Sequence, residues 1–106
     1  MDNCIFCKII KGEIPGKFVH QDDDVVVIED IHPQAPVHLL VIPKTHVAEF
    51  VEADDPLVHK VFATAKRMIL EKRVMGYRLV TNGKGAAQVD HLHVHILGNV
   101  APDRTL

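Results

Sequence analysis

Long apolar runs are missing from this chain of 106 residues: none approaches the ~20 needed to cross a bilayer. A basic leader is missing too. The opening stretch MDNCIFCKII carries Asp2 where a secretory signal would carry lysine or arginine, so a cytoplasmic, membrane-free protein is expected. Charge of one sign is not in excess: 14 acidic against 12 basic residues give a formal net charge of −2, too close to neutral for a dedicated nucleic-acid partner. No internal repeat, linker or low-complexity segment divides the sequence, and residues 1–106 are expected to form one domain around one core. Disorder is excluded by an ordinary balance of 47% hydrophobic and 25% charged residues.

What remains is patterned. Residues 4–14 read as an apolar-rich helical turn or loop, punctuated by Gly12, Pro15 and Gly16. Short β-branched and apolar segments at 18–21, 25–29, 38–42 and 77–81 read as strands. Their connections are too short for parallel crossovers, which implies antiparallel pairing. From Asp54 or Asp55, a cap followed by Pro56, residues Leu57, Val58, Val61, Phe62, Ala65, Met68 and Ile69 recur at helical spacing. Gly76 lies just beyond this long helix, and 82–90 is a Gly/Ala-rich loop. The last strand is read over 91–97.

That last segment, His91-Leu92-His93-Val94-His95-Ile96-Leu97, alternates strictly. Side chains along a strand alternate between faces, so Leu92, Val94 and Ile96 can enter the core. His91, His93 and His95 then line the opposite face, ~6.6 Å apart at the usual rise. Three imidazoles in a row suit a site better than a solvated face, because they titrate near neutral pH. The pattern leaves two readings open, a metal site or histidine chemistry. The preceding loop, Asn82 to Gln88, is rich in backbone amides that could cradle a phosphate. Cys4 and Cys7, the only cysteines, form a Cys-x-x-Cys pair that suggests a metal or redox role before a disulfide.

The segment 91–97 resembles the signature of the histidine-triad (HIT) family, His-φ-His-φ-His-φ-φ with φ apolar, at every position. Further blocks resemble the family in the same order: residues 5–10, 12–15, 30–38 and 41–46. They are most similar to the Hint branch. The resemblance implies an α+β fold: a twisted, mainly antiparallel five-stranded sheet with one long helix and a short N-terminal helix, paired as a homodimer. It implies a hydrolase of nucleoside 5′-phosphoramidates, with adenosine monophosphate conjugates as substrates. In this family His93 would be the nucleophile, attacking phosphorus to form a covalent nucleotidyl-imidazole. His95 would contact the phosphate and act as general acid, and His38 would orient the nucleophile. Asp30 would hold the ribose hydroxyls, and Phe6, Ile9, Ile28 and Ile31 would wall the base. Asn82 and Gln88 would meet the phosphate, with Val89 in the next place. Members with paired cysteines bind a structural zinc, which here implies Cys4, Cys7, His46 and His91 as ligands. His20, His32 and His59 are expected at surface or packing positions.

The chain departs from the family pattern near the triad. Its 82–90 loop is shorter than usual, Val89 stands where a serine is common, and Asp90 replaces an apolar or aromatic residue. Gly98-Asn99 stands where two glycines are common, and no tryptophan occurs in the tail. Two alternatives stand beside the phosphoramidase: a dinucleoside polyphosphate hydrolase of the Fhit kind, which shares the triad, and a nucleotide- or zinc-binding regulatory protein with little turnover, which the shortened loop keeps open.

Overall fold

A computed structural model describes residues 3–102. Five strands, β1 (Phe18–Gln21), β2 (Val25–Glu29), β3 (Val37–Pro43), β4 (Arg78–Val80) and β5 (Val94–Gly98), form one sheet. The order is β1-β2-β3-β5-β4, with every pair antiparallel. Two helices accompany it, α1 (Ile5–Ile10) and α2 (Asp55–Glu71). The α+β architecture is the one expected.

Both faces of the central strands are covered, which explains why β2 and β3 read as nearly continuous apolar runs. Val25 and Val27 of β2, Leu39 and Val41 of β3, and Leu92, Val94 and Ile96 pack against Val61, Ala65 and Met68 of α2. The alternate residues Val26, Ile28, Leu40 and Ile42 pack on the other face against Phe6 and Ile9 of α1. His38 and His95 fall on that second face. The α1 side of the sheet is therefore where the imidazoles gather.

Each helix is set by its ends. Asp54 caps α2, its Oδ1 accepting the Leu57 N–H at 2.9 Å, with Pro56 in the first turn. Its C-terminus comes earlier than Gly76. Arg73 takes the left-handed conformation (φ 53°), and the Arg73 and Val74 N–H groups close on the Leu70 and Ile69 carbonyls at 3.3 and 3.0 Å. That closing motif usually employs glycine, so an arginine there gave no signal. α1 is capped by a thiol: Cys4 Sγ accepts from the Cys7 N–H at 3.4 Å.

Strand bounds shift in instructive places. β3 runs on through Pro43, which pairs with Val25, and β4 is shorter than 77–81. The largest difference is β5, which begins at Val94 and not at His91. Residues 91–93 lie off the ladder, held by the Leu92 N–H to the Val47 carbonyl at 2.7 Å and by Thr81 Oγ1 to the His93 carbonyl at 3.0 Å.

Candidate active site and thiol–histidine cluster

A cavity of about 410 Å³ opens on the α1 face. The expected residues Phe6, Asp30, His38, Asn82, Gln88, Val89, His93 and His95 all line it. Ile9 and Ile28 do not. They are 8% and 4% exposed and belong to the packed layer around Phe6, one shell behind the wall. Ile31 is 83% exposed and also lies outside the lining. Sequence reasoning missed His32, Gln34, Leu40 and Ala86, which do line the cavity. His32, expected at a surface or packing position, stands at the cavity wall. Its place two residues after Asp30 was the available clue, since the Asp30 carboxylate accepts the His32 N–H at 2.8 Å and folds that loop over the cavity. His20 is tied to Asp22 at 3.0 Å, and His59 is exposed on α2, as expected.

Hydrogen bonds fix which ring nitrogen carries each proton. His93 Nδ1 lies 2.7 Å from the His91 carbonyl. A carbonyl only accepts, so Nδ1 holds the hydrogen and the neutral ring keeps its lone pair at Nε2. The contact that orients the His93 ring through Nδ1 therefore comes from the main chain. The His38 ring reaches His95 instead, Nε2 to Nδ1 at 2.8 Å. His38 Nδ1 accepts the Gln34 N–H at 3.0 Å, so its own hydrogen sits on Nε2 and is donated to His95. His95 in turn holds its hydrogen on Nε2. The two cavity histidines are thus opposite in kind, His93 an electron-pair donor and His95 a hydrogen donor.

Their surroundings keep both neutral. Burial holds His93 below its ordinary value. Burial, then the neighbouring His93 and His38 rings, push His95 down to about 4. The His93 and His95 ring centres are 5.0 Å apart at 62°. Phe6 presents its ring to His93 edge-on, centre to centre 4.9 Å at 73°.

Beside the cavity, Cys4, Cys7, His46 and His91 place one ligand atom each within 4.8 Å of one another. Cys4 Sγ and Cys7 Sγ lie 3.3 and 3.6 Å from His91 Nδ1, and Cys7 Sγ lies 3.3 Å from His46 Nδ1. Sulfur and nitrogen ligands sharing a tetrahedral ion would stand ~3.6 Å apart. His91 is fully buried and its Nε2–H donates to the Pro43 carbonyl at 2.8 Å. That bond leaves Nδ1 unprotonated towards the sulfurs, as a metal ligand requires. The cluster therefore fits a metal ion. Burial, followed by the Cys4 side chain, raises the Cys7 thiol above its ordinary value, and burial lowers His91. A second group, Asp30, His38 and His95, is as compact but fits a metal less well. Its His38 Nδ1 already accepts an N–H, so Nε2 must keep its hydrogen and cannot coordinate.

The 82–90 loop also differs from expectation. The Ala86 and Ala87 N–H groups turn inward to the Gly83 carbonyl at 3.0 and 3.1 Å, and the Lys84 N–H goes to Glu49 at 3.2 Å. Those amides are committed, which shifts the polar contacts available to a ligand towards the side chains of Asn82 and Gln88.

An antiparallel five-stranded sheet carrying paired, oppositely polarised imidazoles in a cleft, with a thiol–imidazole cluster alongside, defines a histidine-centred site of one recognisable kind. The family model described as "Scavenger mRNA decapping enzyme C-term binding" matches residues 3–105. The chain is 42% identical over 104 residues to Protein HitA of Neisseria gonorrhoeae, covering 92% of this chain and 97% of HitA. It superposes on a HIT family hydrolase from Clostridium thermocellum with a TM-score of 0.90 at 40% identity, covering 100% and 98% of the two chains. A hypothetical histidine triad nucleotide-binding protein from Sulfolobus tokodaii gives a TM-score of 0.82 at 40% identity, covering 90% of this chain and 68% of that one. The chain belongs to the histidine-triad family.

Proposed function

We propose that the protein is a hydrolase of nucleoside 5′-phosphoramidates of the Hint type, acting on P–N bonds of adenosine monophosphate–amine conjugates. The observation that carries this reading is the His93 Nδ1 contact to the His91 carbonyl, which leaves Nε2 as the electron-pair donor of a neutral, buried imidazole lining the cavity. Its lone pair attacks phosphorus and the P–N bond breaks, giving a nucleotidyl-histidine. Water then cleaves the new N–P bond, releasing the nucleoside monophosphate and restoring the imidazole. His95 points its Nε2–H at the phosphate and leaving nitrogen. His95 passes its Nε2 hydrogen to the departing amine, and the attacking water of the second step returns a hydrogen to that nitrogen, so that His38 can keep donating to His95 Nδ1 throughout. Asp30 lies at the ribose end, and Asn82 and Gln88 meet the phosphate.

The metal of the thiol–histidine cluster is assigned as zinc, which matches two soft thiolates and two imidazoles. Bound there it supplies a structural cross-link between α1 and the segment before β5. Cysteines held for a metal and outside any disulfide suit a reducing, cytoplasmic compartment. Leu70 near the end of α2, Met75 and Tyr77 in the connection that follows, and Leu79 on β4 are exposed apolar side chains that fit a homodimer. The test is mass spectrometry of wild type and His93→Ala, quenched during turnover of an AMP–amine conjugate. Wild type should gain one nucleotidyl group and His93→Ala none. Equal hydrolysis by both proteins rules the mechanism out, and preferential cleavage of diadenosine polyphosphates moves the assignment to the Fhit kind.

A further inference from the structure

Glu49 lies outside the cavity, in the connection between β3 and α2, and neither the triad nor the thiol cluster uses it. Its side chain reaches 35 positions along the sequence to the Gly/Ala-rich loop, where Oε1 accepts the Lys84 N–H at 3.2 Å. The same oxygen lies against Gly83. A Cβ on that residue would come within 3.3 Å of it. The loop's own turn closes on Gly83 as well, through the Ala86 and Ala87 N–H groups. From this anchored turn the chain delivers Asn82, Ala86, Gln88 and Val89 to the cavity wall.

We propose that Glu49 is a positioning residue for the phosphate-side loop: its carboxylate pins the 83–84 turn and thereby sets where Asn82 and Gln88 meet the phosphate of a bound nucleotide. A loop of glycines and alanines has no bulky side chains to pack and more backbone freedom to lose than any other. A single external acceptor therefore has unusual leverage on it. A carboxylate suits that task because an ionised oxygen accepts more strongly than a neutral one. The inference rests on the proposed reading that a nucleotide phosphate meets Asn82 and Gln88; the tether itself, Glu49 Oε1 to the Lys84 N–H, does not depend on that reading.

The test compares Glu49→Ala, which removes the acceptor, with Glu49→Gln, which keeps a carbonyl oxygen in place. AMP serves as the binding probe and an AMP–amine conjugate as the substrate. Glu49→Ala should weaken AMP binding and raise KM roughly tenfold, the effect of one lost charge-assisted hydrogen bond. Its kcat should stay within about twofold, and its Lys84 amide should exchange with solvent about tenfold faster. Glu49→Gln should remain within about threefold of wild type in each measure. An alanine variant with unchanged AMP affinity and unchanged Lys84 exchange overturns the proposal. So does a glutamine variant as impaired as the alanine one, or a loss confined to kcat. Amide exchange reads the tether without turnover, so a failed phosphoramidase reading shows separately, as a normal tether effect with no P–N cleavage in wild type.

Discussion

Replacing Phe6 probes how one ring supports both the docking of α1 and the posture of the central imidazole. Phe6 is 7% exposed and packs with Ile9, Val26, Ile28, Leu40 and Ile42. It also meets the His93 ring at 4.9 Å and the His91 ring at 5.9 Å, both nearly edge-on. Truncating a buried phenylalanine to alanine costs about 3–5 kcal/mol, of which each aromatic edge contact supplies about 0.5–1.5 kcal/mol. The helix has only six residues, too few to persist without packing, so it can detach locally once the ring is gone. The loss is then capped by the energy that docks it. Phe6→Ala should cost about 3 kcal/mol, at the low end of the range for that reason. Phe6→Leu keeps most of the volume and should cost about 1 kcal/mol. Urea denaturation followed by far-ultraviolet circular dichroism measures both, and nitrogen-15 spectra of the His93 ring follow its Nδ1–H. A loss under about 1 kcal/mol for Phe6→Ala, or equal losses for the two variants, refutes the reasoning.

Gly98→Ala places a Cβ 2.4 Å from Val74 Cγ1 and 2.9 Å from the Val37 Cβ. It should cost about 1–3 kcal/mol by overpacking and lower Tm by roughly 4–8 °C per kcal/mol; an unchanged melting curve contradicts this. His95 titrates near 4 when folded against its ordinary 6.5, so the unfolded chain binds the extra proton between those values. Stability of the metal-free protein should therefore be greatest above pH 6.5 and decline as the pH falls towards about 4, with His91 and His93 acting in the same direction. Urea midpoints across that range test the sign, and a midpoint that rises on acidification defeats it. Cys4→Ser and His46→Ala should each lower bound metal well below one ion per chain by elemental analysis, and chelation of wild type should lower its Tm. Unaltered metal content in both variants removes the cluster from consideration.

The sheet and the long helix were legible because their signals are local and periodic. The β-branched run at 25–29 and the 3.6-residue rhythm from Leu57 to Ile69 each name their element directly. The alternation of 91–97 sorted core from site correctly, with Leu92, Val94 and Ile96 on the α2 face. It overstated the strand, because alternation persists in an extended segment whether or not a neighbour pairs with it. The residues lining the cavity followed from motif likeness where they are side chains at the triad or at Asp30. Ile9, Ile28 and Ile31 did not follow, since likeness cannot distinguish a wall from the layer behind it. Least legible were the main-chain partners. The His91 and Pro43 carbonyls and the Gln34 N–H set three imidazole tautomers, and a backbone group leaves no letter in the sequence.

The late start of β5 has a consequence for anyone wishing to transplant this constellation. Within a regular strand a residue's carbonyl points sideways, into the ladder. Because pairing is delayed until Val94, the carbonyl of His91 can turn to the imidazole two residues on. Copying His-x-His-x-His onto an idealised strand would reproduce the spacing and forfeit that acceptor, leaving the middle ring free to swap its hydrogen between nitrogens. A faithful graft must carry the irregular tripeptide and its anchors at Val47 and Thr81 along with the histidines.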